Sequence, residues 1–223
     1  MSPRNIITVD GPSGAGKGTL AVQLAQHMGY HFLDSGALYR LTALAVLNRG
    51  IDESNADVVG EVAANLAIRF EVSDNGLKAF LDDEDVTQAI RYEKTGMVAS
   101  VVAAHTPVRQ ALLGVQRHYY RAPGLVADGR DMGTKVFPDA KVKIFLTASA
   151  ETRAQRRYKQ LIDKGESVSL RALLADINER DKRDTERADS PLLPAGDALL
   201  LDSSALSIGR VFDLALLHVK AGG

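Results

Sequence analysis

Short apolar runs alternate along the chain with segments of helical periodicity, which predicts an α/β fold with a parallel sheet. Four of the five runs predicted as core strands show no polar alternation, as is typical of strands buried on both faces of a sheet. The five runs are residues 6–9, 31–33, 125–127, 143–146 and 198–201. Helical patterns lie between them, and a last one covers residues 207–220. Such sheets bind ligands at the carboxyl ends of their strands, where we expect Asp34, Asp128 and the loop after Val9.

One segment breaks this rhythm. Across residues 68–86, Ile68, Phe70 and Val72 alternate with polar residues, and the pair Asn75-Gly76 follows. An Asn-Gly pair between two alternating segments is a strong signal of a β-hairpin. The sequence therefore predicts a small antiparallel sheet inserted into the parallel architecture.

Composition narrows the class of protein. The 223 residues are 45% hydrophobic and 25% charged, as in ordinary globular proteins, and we expect one domain. A net charge of −1 argues against binding to a nucleic acid polymer, so any positive site must be local. The lack of cysteine excludes disulfides, thiolate metal sites and a cysteine nucleophile. With no secretory segment and no apolar run of ~18 residues, we expect a soluble, cytoplasmic protein that does not bind a membrane.

The loop GPSGAGKGT, residues 11–19, joins the first strand to a helical segment over residues 17–28. Gly11, Gly14 and Gly16 permit positive φ, so that successive N–H groups can face a ring of phosphate oxygens. Lys17 and the N-terminus of the helix add positive charge. We interpret the loop as a phosphate-binding loop. The alternative is a glycine-rich turn that binds nothing.

Two further motifs are expected at the same edge of the sheet. DSGALYR, residues 34–40, opens a helix with Ser35 in a capping position and with Tyr39 and Arg40 one turn in. We interpret it as a second phosphate site, and the alternative is a capped helix with a surface arginine. DGRDMGT, residues 128–134, brings two carboxylates and an arginine into four residues. The alternative there is a tight polar turn.

The charged stretch over residues 151–190 contains two patterns of interest. Arg180, Asp184 and Arg187 recur at i, i+4 and i+7, which places them on one face of a helix. A ladder of Asp176, Arg180 and Asp184 is the alternative, and the two interpretations are compatible. Upstream, three arginines share about one helical turn and should repel one another unless an anion visits them. These are Arg153, Arg156 and Arg157.

The chain resembles the bacterial cytidylate kinases in five motifs, which occur in the family's order over nearly its whole length: GPSGAGKGT, DSGALYR, DGRDMGTKVFPDAKVKIFL, RAQRR and NERDKRDTERADSPL. The resemblance implies a P-loop kinase fold, with a five-stranded parallel sheet flanked by helices, an inserted small antiparallel sheet and a helical lid. It implies a single domain over residues 1–223. The expected core covers about 1–34, 108–148 and 188–223, the acceptor-binding insert about 35–107, and the lid about 149–187.

The resemblance also implies a reaction, the transfer of the γ-phosphoryl group of ATP to CMP or dCMP, giving ADP and CDP or dCDP. A monophosphate has a second pKa of about 6 and is mostly dianionic at neutral pH. It therefore needs no base and no covalent intermediate. Catalysis would rest on positioning and on electrostatic stabilisation, and arginine and Mg²⁺ suit that task.

Residue roles follow from the same resemblance. The ATP phosphates would contact Gly11, Pro12, Ser13, Gly14, Ala15, Gly16, Lys17, Gly18 and Thr19, with Arg153, Arg156 and Arg157 in the lid. The acceptor phosphate would contact Ser35, Arg40, Arg130 and Arg187, and the sugar Arg180 and Asp184. Cytosine would contact Ser100, Arg109 and Asp131, while Tyr39 and Asp128 complete the CMP site. The expected catalytic group comprises Lys17, Arg130, Arg157 and Arg187.

The metal has no direct protein ligand in this scheme. Gly18 stands where the hydroxyl usually follows the lysine, and the hydroxyl comes one residue later, at Thr19. One residue turns a side chain by about 100° around a helix. We therefore expect Mg²⁺ to be held by ATP oxygens and water, with Thr19 contributing at most indirectly.

Two other functions remain open at this stage. A kinase for UMP or AMP would share the loop and the arginine-rich lid, so only the acceptor pocket separates it from a cytidylate kinase. A non-catalytic nucleotide-binding module is the second alternative, although the Asn-Lys-x-Asp guanine reader of GTPases does not occur. We expect ATP and CMP or dCMP as partners, and a monomer.

Overall fold

A computed structural model of the chain describes residues 5–73 and 76–222. The chain forms two compact units. The first comprises Met1–Asp34 and Arg117–Gly223, and the second comprises Ser35–Gln116. In the first unit a parallel sheet carries the loop GPSGAGKGT and the motif DGRDMGT.

The sheet of the first unit has five parallel strands in the order β2-β6-β1-β7-β8. Numbered in chain order, the strands are β1 Ile6–Asp10, β2 His31–Asp34, β6 Leu125–Gly129, β7 Val142–Thr147 and β8 Leu199–Asp202. All five predicted core strands are thus confirmed. All five end one or two residues later than predicted, on Asp10, Asp34, Gly129, Thr147 and Asp202, because ladder hydrogen bonds use the backbone and do not require an apolar side chain.

Helices cover this sheet and complete its core. They are α1 Lys17–Met28, α6 Ala150–Asp163, α7 Leu170–Glu186 and α8 Ile208–Gly222. Leu24 of α1 and Ala215 of α8 are buried in one cluster with Val9, Val126 and Ile144 of the strands. The strands therefore read as continuous apolar runs because their side chains are buried on both faces. α6 packs against α7.

The second unit contains helices and the small antiparallel sheet. Its helices are α2 Ser35–Asn48, α3 Ala56–Ala64, α4 Glu93–Val102 and most of α5 Thr106–His118. Its strands are β3 Ile68–Ser73, β4 Gly76–Leu81 and β5 Glu84–Asp85, in that spatial order. β3 and β4 pair antiparallel with Ser73 opposite Gly76, which confirms the predicted hairpin. Asn75 of its turn lies outside the described residues.

The predicted division into core, insert and lid stays a prediction. The lid segment 149–187 belongs to the first compact unit, where it forms α6 and α7. In the part of the chain that the structure describes, no helix has both the length and the apolar character needed to cross a membrane.

Candidate active site

The loop between β1 and α1 has the backbone that its glycines predict. Gly11, Gly14 and Gly16 have φ of 144°, 81° and 99°, values that side-chain-bearing residues rarely adopt. A Cβ on Gly11 would also collide with the main-chain oxygen of Leu146 in β7. Glycine is therefore required at residue 11 both by conformation and by the close approach of a neighbouring strand.

Lys17 begins α1 and is buried, with 6% of its surface exposed. Its Nζ donates a hydrogen bond to the main-chain oxygen of Pro12 at 2.8 Å. The pKa of Lys17 is lowered to about 7, chiefly by burial and also by the charge of Arg130, while the charge of Asp128 opposes the shift. An anion bound beside Lys17 would favour its charged form.

Two carboxylates end neighbouring strands beside α1. Asp34 of β2 lies opposite Asp128 of β6 in the ladder. Burial raises the pKa of Asp128 to about 6, and the charge of Asp34 adds to the shift while Lys17 opposes it. A Cβ on Gly18 would lie 3.4 Å from Oδ2 of Asp128. A side chain at residue 18 would therefore point at a carboxylate, whereas the exposed Thr19 follows one position later.

Arg130, which directly follows β6, contacts a carboxylate of α7. Its Nε donates to Oδ2 of Asp184 at 2.9 Å, and Nη1 of Arg187 lies 3.8 Å from Oδ1 of the same carboxylate. Burial alone would raise the pKa of Asp184, but the charges of Arg130, Arg180 and Arg187 outweigh it and lower the pKa. The predicted face of α7 thus has the buried carboxylate of Asp184 at its centre, and Arg180 and Arg187 both act on its pKa.

The alternative on α7, a ladder of Asp176, Arg180 and Asp184, stays a prediction, and a different pair is seen on this helix. An exposed i, i+4 pair joins Glu179 to Arg183 at 3.4 Å, and contacts of this kind contribute ~0.3–0.5 kcal/mol. Asp184 is instead buried against Arg130, whose Nε lies 2.9 Å from the carboxylate. The Glu179–Arg183 pair and the inward-facing cluster therefore use different residues of the same helix.

Arg153 of α6 is held by protein groups. Its Nε donates to the main-chain oxygen of Ala148 at 2.9 Å, and its Nη1 donates to the main-chain oxygen of Ser13 at 3.1 Å. The guanidinium also binds Asp181 of α7 through two nitrogens, with Nη1 3.0 Å from Oδ1. Asp181 thus supplies a counter-charge to Arg153 from within the protein, and the expectation that an anion binds the three arginines stays a prediction.

Arg156 reaches a different part of the first unit. Its Nη2 donates to the main-chain oxygen of Ser203 at 2.6 Å, just beyond β8. The Ser203 hydroxyl donates in turn to the main-chain oxygen of Ala15 at 3.0 Å. Arg156 is therefore tied to the phosphate loop through Ser203. Arg157, its neighbour on α6, is half-buried.

In the second unit, residues 35–40 of the DSGALYR motif begin α2. Ser35 is the first residue of the helix and is buried, and its Oγ accepts a hydrogen bond from Nε2 of Gln116 at 2.8 Å. Arg40 Nη1 donates to the main-chain oxygen of Ile90 at 3.1 Å. Tyr39, which precedes Arg40 in the sequence, is also buried. The structure thus brings Ser35 to a side-chain partner 81 residues away, which local spacing does not reveal.

Two further predicted CMP contacts belong to the second unit. The Oγ of Ser100 is buried, and no group among the described residues forms a hydrogen bond with it. Arg109 is buried as well, with Nη1 donating to the main-chain oxygen of Ala103 at 3.1 Å and its guanidinium carbon 5.7 Å from the centre of the Tyr39 ring. A buried hydroxyl without a partner costs stability, so Ser100 is suited to a polar group of a ligand.

A family model described as "Cytidylate kinase" matches residues 7–221. The chain belongs to the cytidylate kinase family. The resemblance inferred from five motifs is thereby confirmed.

Individual relatives agree with the family model. A cytidylate kinase of Shewanella denitrificans is 54% identical over 99% of both chains. One of Pseudomonas aeruginosa is 54% identical over 98% of this chain and 96% of its own. A gluconokinase from Sinorhizobium meliloti is the subject of a solved structure with a TM-score of 0.48 and 17% identity, over 98% of this chain and 93% of that one. That likeness is too distant to carry a functional conclusion.

Asp10 contacts the DGRDMGT segment and Arg117 contacts the two residues that follow it, and neither contact was predicted. Asp10, the last residue of β1, accepts hydrogen bonds from the N–H groups of Met132 and Gly133. Arg117 donates to the main-chain oxygens of Lys135 and Val136. Only the position of Asp10 at the carboxyl end of a predicted strand could have drawn attention to it. Nothing in the spacing around Arg117 points to this contact.

Proposed function

We propose that the chain transfers the γ-phosphoryl group of ATP to CMP and dCMP, with Mg²⁺, by in-line transfer without a covalent intermediate. Membership of the cytidylate kinase family supports this reaction. The observation that carries the site assignment is the cluster formed by the half-buried Arg130 with the buried Asp184 and Arg187. Arg130 and Arg180 both lower the pKa of Lys17, so these cations lie within electrostatic reach of the phosphate loop.

The loop and Lys17 bind the ATP phosphates in this proposal. The backbone N–H groups of residues 11–19 surround the phosphates, and Lys17 follows the negative charge as it develops on the transferred group. Lys17 is catalytic in this sense, since it touches the reacting phosphates. Its present partner, the main-chain oxygen of Pro12, is a neutral acceptor that a phosphate oxygen can outcompete.

The arginine cluster binds the acceptor phosphate. Guanidinium groups bind phosphate oxygens in a bidentate manner and keep their charge at every working pH. Asp184 holds Arg130 at 2.9 Å and so limits the freedom of a long side chain before the substrate arrives. We assign Arg130 and Arg187 to the phosphate, and Arg180 and Asp184 to the sugar.

Three residues are assigned to the base. Cytosine offers an amino donor at N4 and acceptors at N3 and O2, so a carboxylate and hydrogen-bond donors together complement it. Asp131 supplies the carboxylate, while Ser100 and Arg109 of the second unit supply donors. Uracil would set its O4 against Asp131, and one such mismatch costs ~1–3 kcal/mol. The buried Ser100 hydroxyl supports its part in this assignment.

The other predicted contacts stay in the proposal. Ser35, Tyr39 and Arg40 are assigned to CMP, with Asp128 at the end of β6. Arg156 and Arg157 on α6 are assigned to a lid over the ATP phosphates, which would exclude water from the reaction. Arg153 is assigned there as well, although its contacts with Asp181 and Ser13 give it a supporting position.

The residues around the loop fit a magnesium ion. Mg²⁺ prefers oxygen ligands and keeps several of its waters, and Asp34 and Asp128 are paired carboxylates beside Gly18. We assign Mg²⁺ to ATP oxygens and water, with these two carboxylates accepting hydrogen bonds from the water and Thr19 contributing at most indirectly. The bound ion would neutralise charge on the β- and γ-phosphates. We also propose that the protein is a monomer, which sedimentation equilibrium tests.

A panel assay tests the proposed reaction. ADP release by the wild-type chain is measured with AMP, GMP, UMP, CMP and dCMP at equal concentrations, with Mg²⁺ and ATP in excess. We expect CMP and dCMP to give the highest kcat/KM. Turnover led by AMP would overturn the proposal, and ATP binding without any ADP release stimulated by CMP would favour a binding module.

The variant Asp131→Ala tests the base assignment. We expect kcat/KM for CMP to fall more than kcat/KM for UMP, because only cytosine donates its N4 amino group to the carboxylate. Equal losses for both acceptors would remove Asp131 from the base-reading set without affecting the assignment of the reaction.

A further inference from the structure

The turn that follows β6 is fixed at its N-terminal end by a carboxylate. This turn, Met132–Val136, is a single turn of π-helix that begins directly after Asp131. Asp10 accepts from the N–H of Met132 through Oδ1 and from the N–H of Gly133 through Oδ2, each at 2.8 Å. Asp10 is 5% exposed, so both bonds are shielded from water. Its carboxylate satisfies two N–H groups that have no partner within the turn.

The other end of the same turn is fixed by a guanidinium. Nε of Arg117 donates to the main-chain oxygen of Val136 at 3.0 Å, and Nη2 donates to that of Lys135 at 3.2 Å. The negative group therefore lies at the N–H end of the turn and the positive group at the carbonyl end. Each group therefore interacts favourably with the partial charge at its end of the turn, which stabilises the turn. We call Asp10 and Arg117 the clamp.

Asp131 is part of the clamped structure. Its main-chain oxygen accepts from the N–H groups of Lys135 at 2.9 Å and Val136 at 3.1 Å. The turn also packs closely on β1, since a Cβ on Gly133 would lie 2.8 Å from Oγ1 of Thr8. A shift of the turn would therefore shift the backbone of Asp131.

We propose that Asp10 and Arg117 are positioning residues that set the preference for cytosine over uracil by fixing Asp131. The inference rests on the proposed function, in which Asp131 reads the base. In this inference Asp10, the last residue of β1, affects the choice of acceptor although β1 leads into the loop assigned to ATP.

Side-chain length explains why base choice should be more sensitive than turnover. Asp131 has a short side chain, so a displaced backbone moves its carboxylate by a similar distance, and hydrogen bonds weaken steeply with poor geometry. Arg130, one residue earlier, has a long side chain anchored on Asp184 at 2.9 Å. It can compensate for a small backbone shift and keep its contact with the phosphate. Loss of the clamp should therefore affect the base contact first.

The variants Asp10→Asn and Arg117→Met test the clamp. Asp10→Asn keeps the size of the side chain but sets an NH₂ group against one of the two N–H donors. Arg117→Met keeps an unbranched apolar stem and removes the donors of the guanidinium. The measurement is kcat/KM for CMP divided by kcat/KM for UMP, together with both values separately. We expect this ratio to fall at least ~5-fold in each variant, the lower end of the effect of one base contact.

Val211→Ala is the matched control. Val211 of α8 is buried in the hydrophobic cluster of the first unit. Its truncation should therefore lower the stability of this unit without removing a contact of the clamp. We expect its ratio to equal that of the wild type. Arg117→Lys keeps the charge but not the forked donors, and it replaces Arg117→Met if that variant does not fold.

The possible outcomes separate this inference from the proposed function. If Asp131→Ala lowers the ratio while the clamp variants leave it unchanged, the clamp has no part in base choice and the inference fails. An equal fall in Val211→Ala would show a general effect of destabilisation and would also overturn it. If Asp131→Ala itself leaves the ratio unchanged, the base assignment fails, and the inference fails with it.

Discussion

The Nε–H of Arg187 donates to the main-chain oxygen of Ser190 at 2.6 Å, and Ser190 has a φ of 52°. This left-handed conformation is uncommon for a residue with a side chain, and Pro191 further disfavours it. Residues held in such conformations cluster at functional sites. The segment after α7 therefore accepts local strain while its carbonyl holds the guanidinium that we assign to the acceptor phosphate.

The effect of a substitution at Ser190 on CMP binding should depend on how readily the new residue adopts a left-handed conformation. Ser190→Val places a β-branched residue in this conformation and should displace the carbonyl from Arg187, whereas Ser190→Gly should keep it. A hydrogen bond to a charged group contributes ~1.5–3 kcal/mol, so we expect KM for CMP to rise at least about tenfold in Ser190→Val. Steady-state kinetics with CMP and UMP measure the effect.

Arg187→Ala is the reference for that series. It should lower kcat/KM for CMP and UMP alike, since both acceptors carry the same phosphate. A loss selective for cytosine would contradict the assignment of Arg187 to the phosphate. If Ser190→Gly and Ser190→Val behave the same way, the conformation of Ser190 does not support Arg187.

Gly11→Ala should disrupt the phosphate loop. The substitution adds a Cβ where φ is 144° and where the main-chain oxygen of Leu146 already lies. We expect a loss of at least ~2 kcal/mol in the free energy of unfolding and weaker binding of ATP. Gly196→Ala is the matched control, because no atom lies within 4 Å of the Cβ it would add. Urea denaturation of both variants measures the difference, and equal stabilities would contradict the prediction.

Much of the first unit was predictable because periodicity reports burial. All five core strands were found from apolar runs, and Ile68 and Phe70 alternate with the exposed Arg69 in the observed hairpin strand. The phosphate loop was equally accessible, since the positive φ of Gly11 and Gly16 is a requirement that only glycine meets readily. Local patterns are thus sufficient where the structural cause is itself local.

Contacts between distant segments were not predictable in the same way. Arg130 and Asp184 are 54 residues apart, and Arg153 and Asp181 are 28 apart, so no spacing within one helix indicates either pair. Asp10 contacts the turn after β6 only because β1 and β6 are neighbours in the sheet. The spacing of arginines on α6 likewise does not reveal that the counter-charge of Arg153 is Asp181 on another helix.

ATP binding should take up protons at pH 8. Burial lowers the pKa of Lys17 to about 7, so its amine is mostly neutral at pH 8 in the free protein. Asp10 and Asp128, with pKa values raised to about 7 and about 6, are mostly ionised there, and Arg130 and Arg180 are charged throughout. Phosphate oxygens beside Lys17 raise its pKa and draw a proton from solution. Calorimetry in buffers of different ionisation enthalpy measures the uptake, which we expect to approach one proton.

Two controls test whether Lys17 takes up the proton. At pH 6 Lys17 is already protonated in the free protein, so the uptake from this residue should nearly vanish. Lys17→Arg keeps the positive charge but holds its proton at both pH values, and it should abolish most of the uptake at pH 8. Equal uptake in wild type and Lys17→Arg would assign the proton to another group.

The pair formed by Arg153 and Asp181 should stabilise the first unit and the phosphate loop together. The Arg153 side chain is 4% exposed, so removing Asp181 leaves a buried charge whose remaining acceptors among the described residues include the neutral main-chain oxygens of Ala148 and Ser13. We expect Asp181→Ala to lower the free energy of unfolding by ~3 kcal/mol, and Arg153→Met by less, because Asp181 reaches water. The double variant should show a coupling of ~1–3 kcal/mol in urea denaturation. ATP affinity should fall further in Arg153→Met than in Asp181→Ala, since only the first variant removes the donor to the loop. Additive stabilities would show that the two side chains act independently.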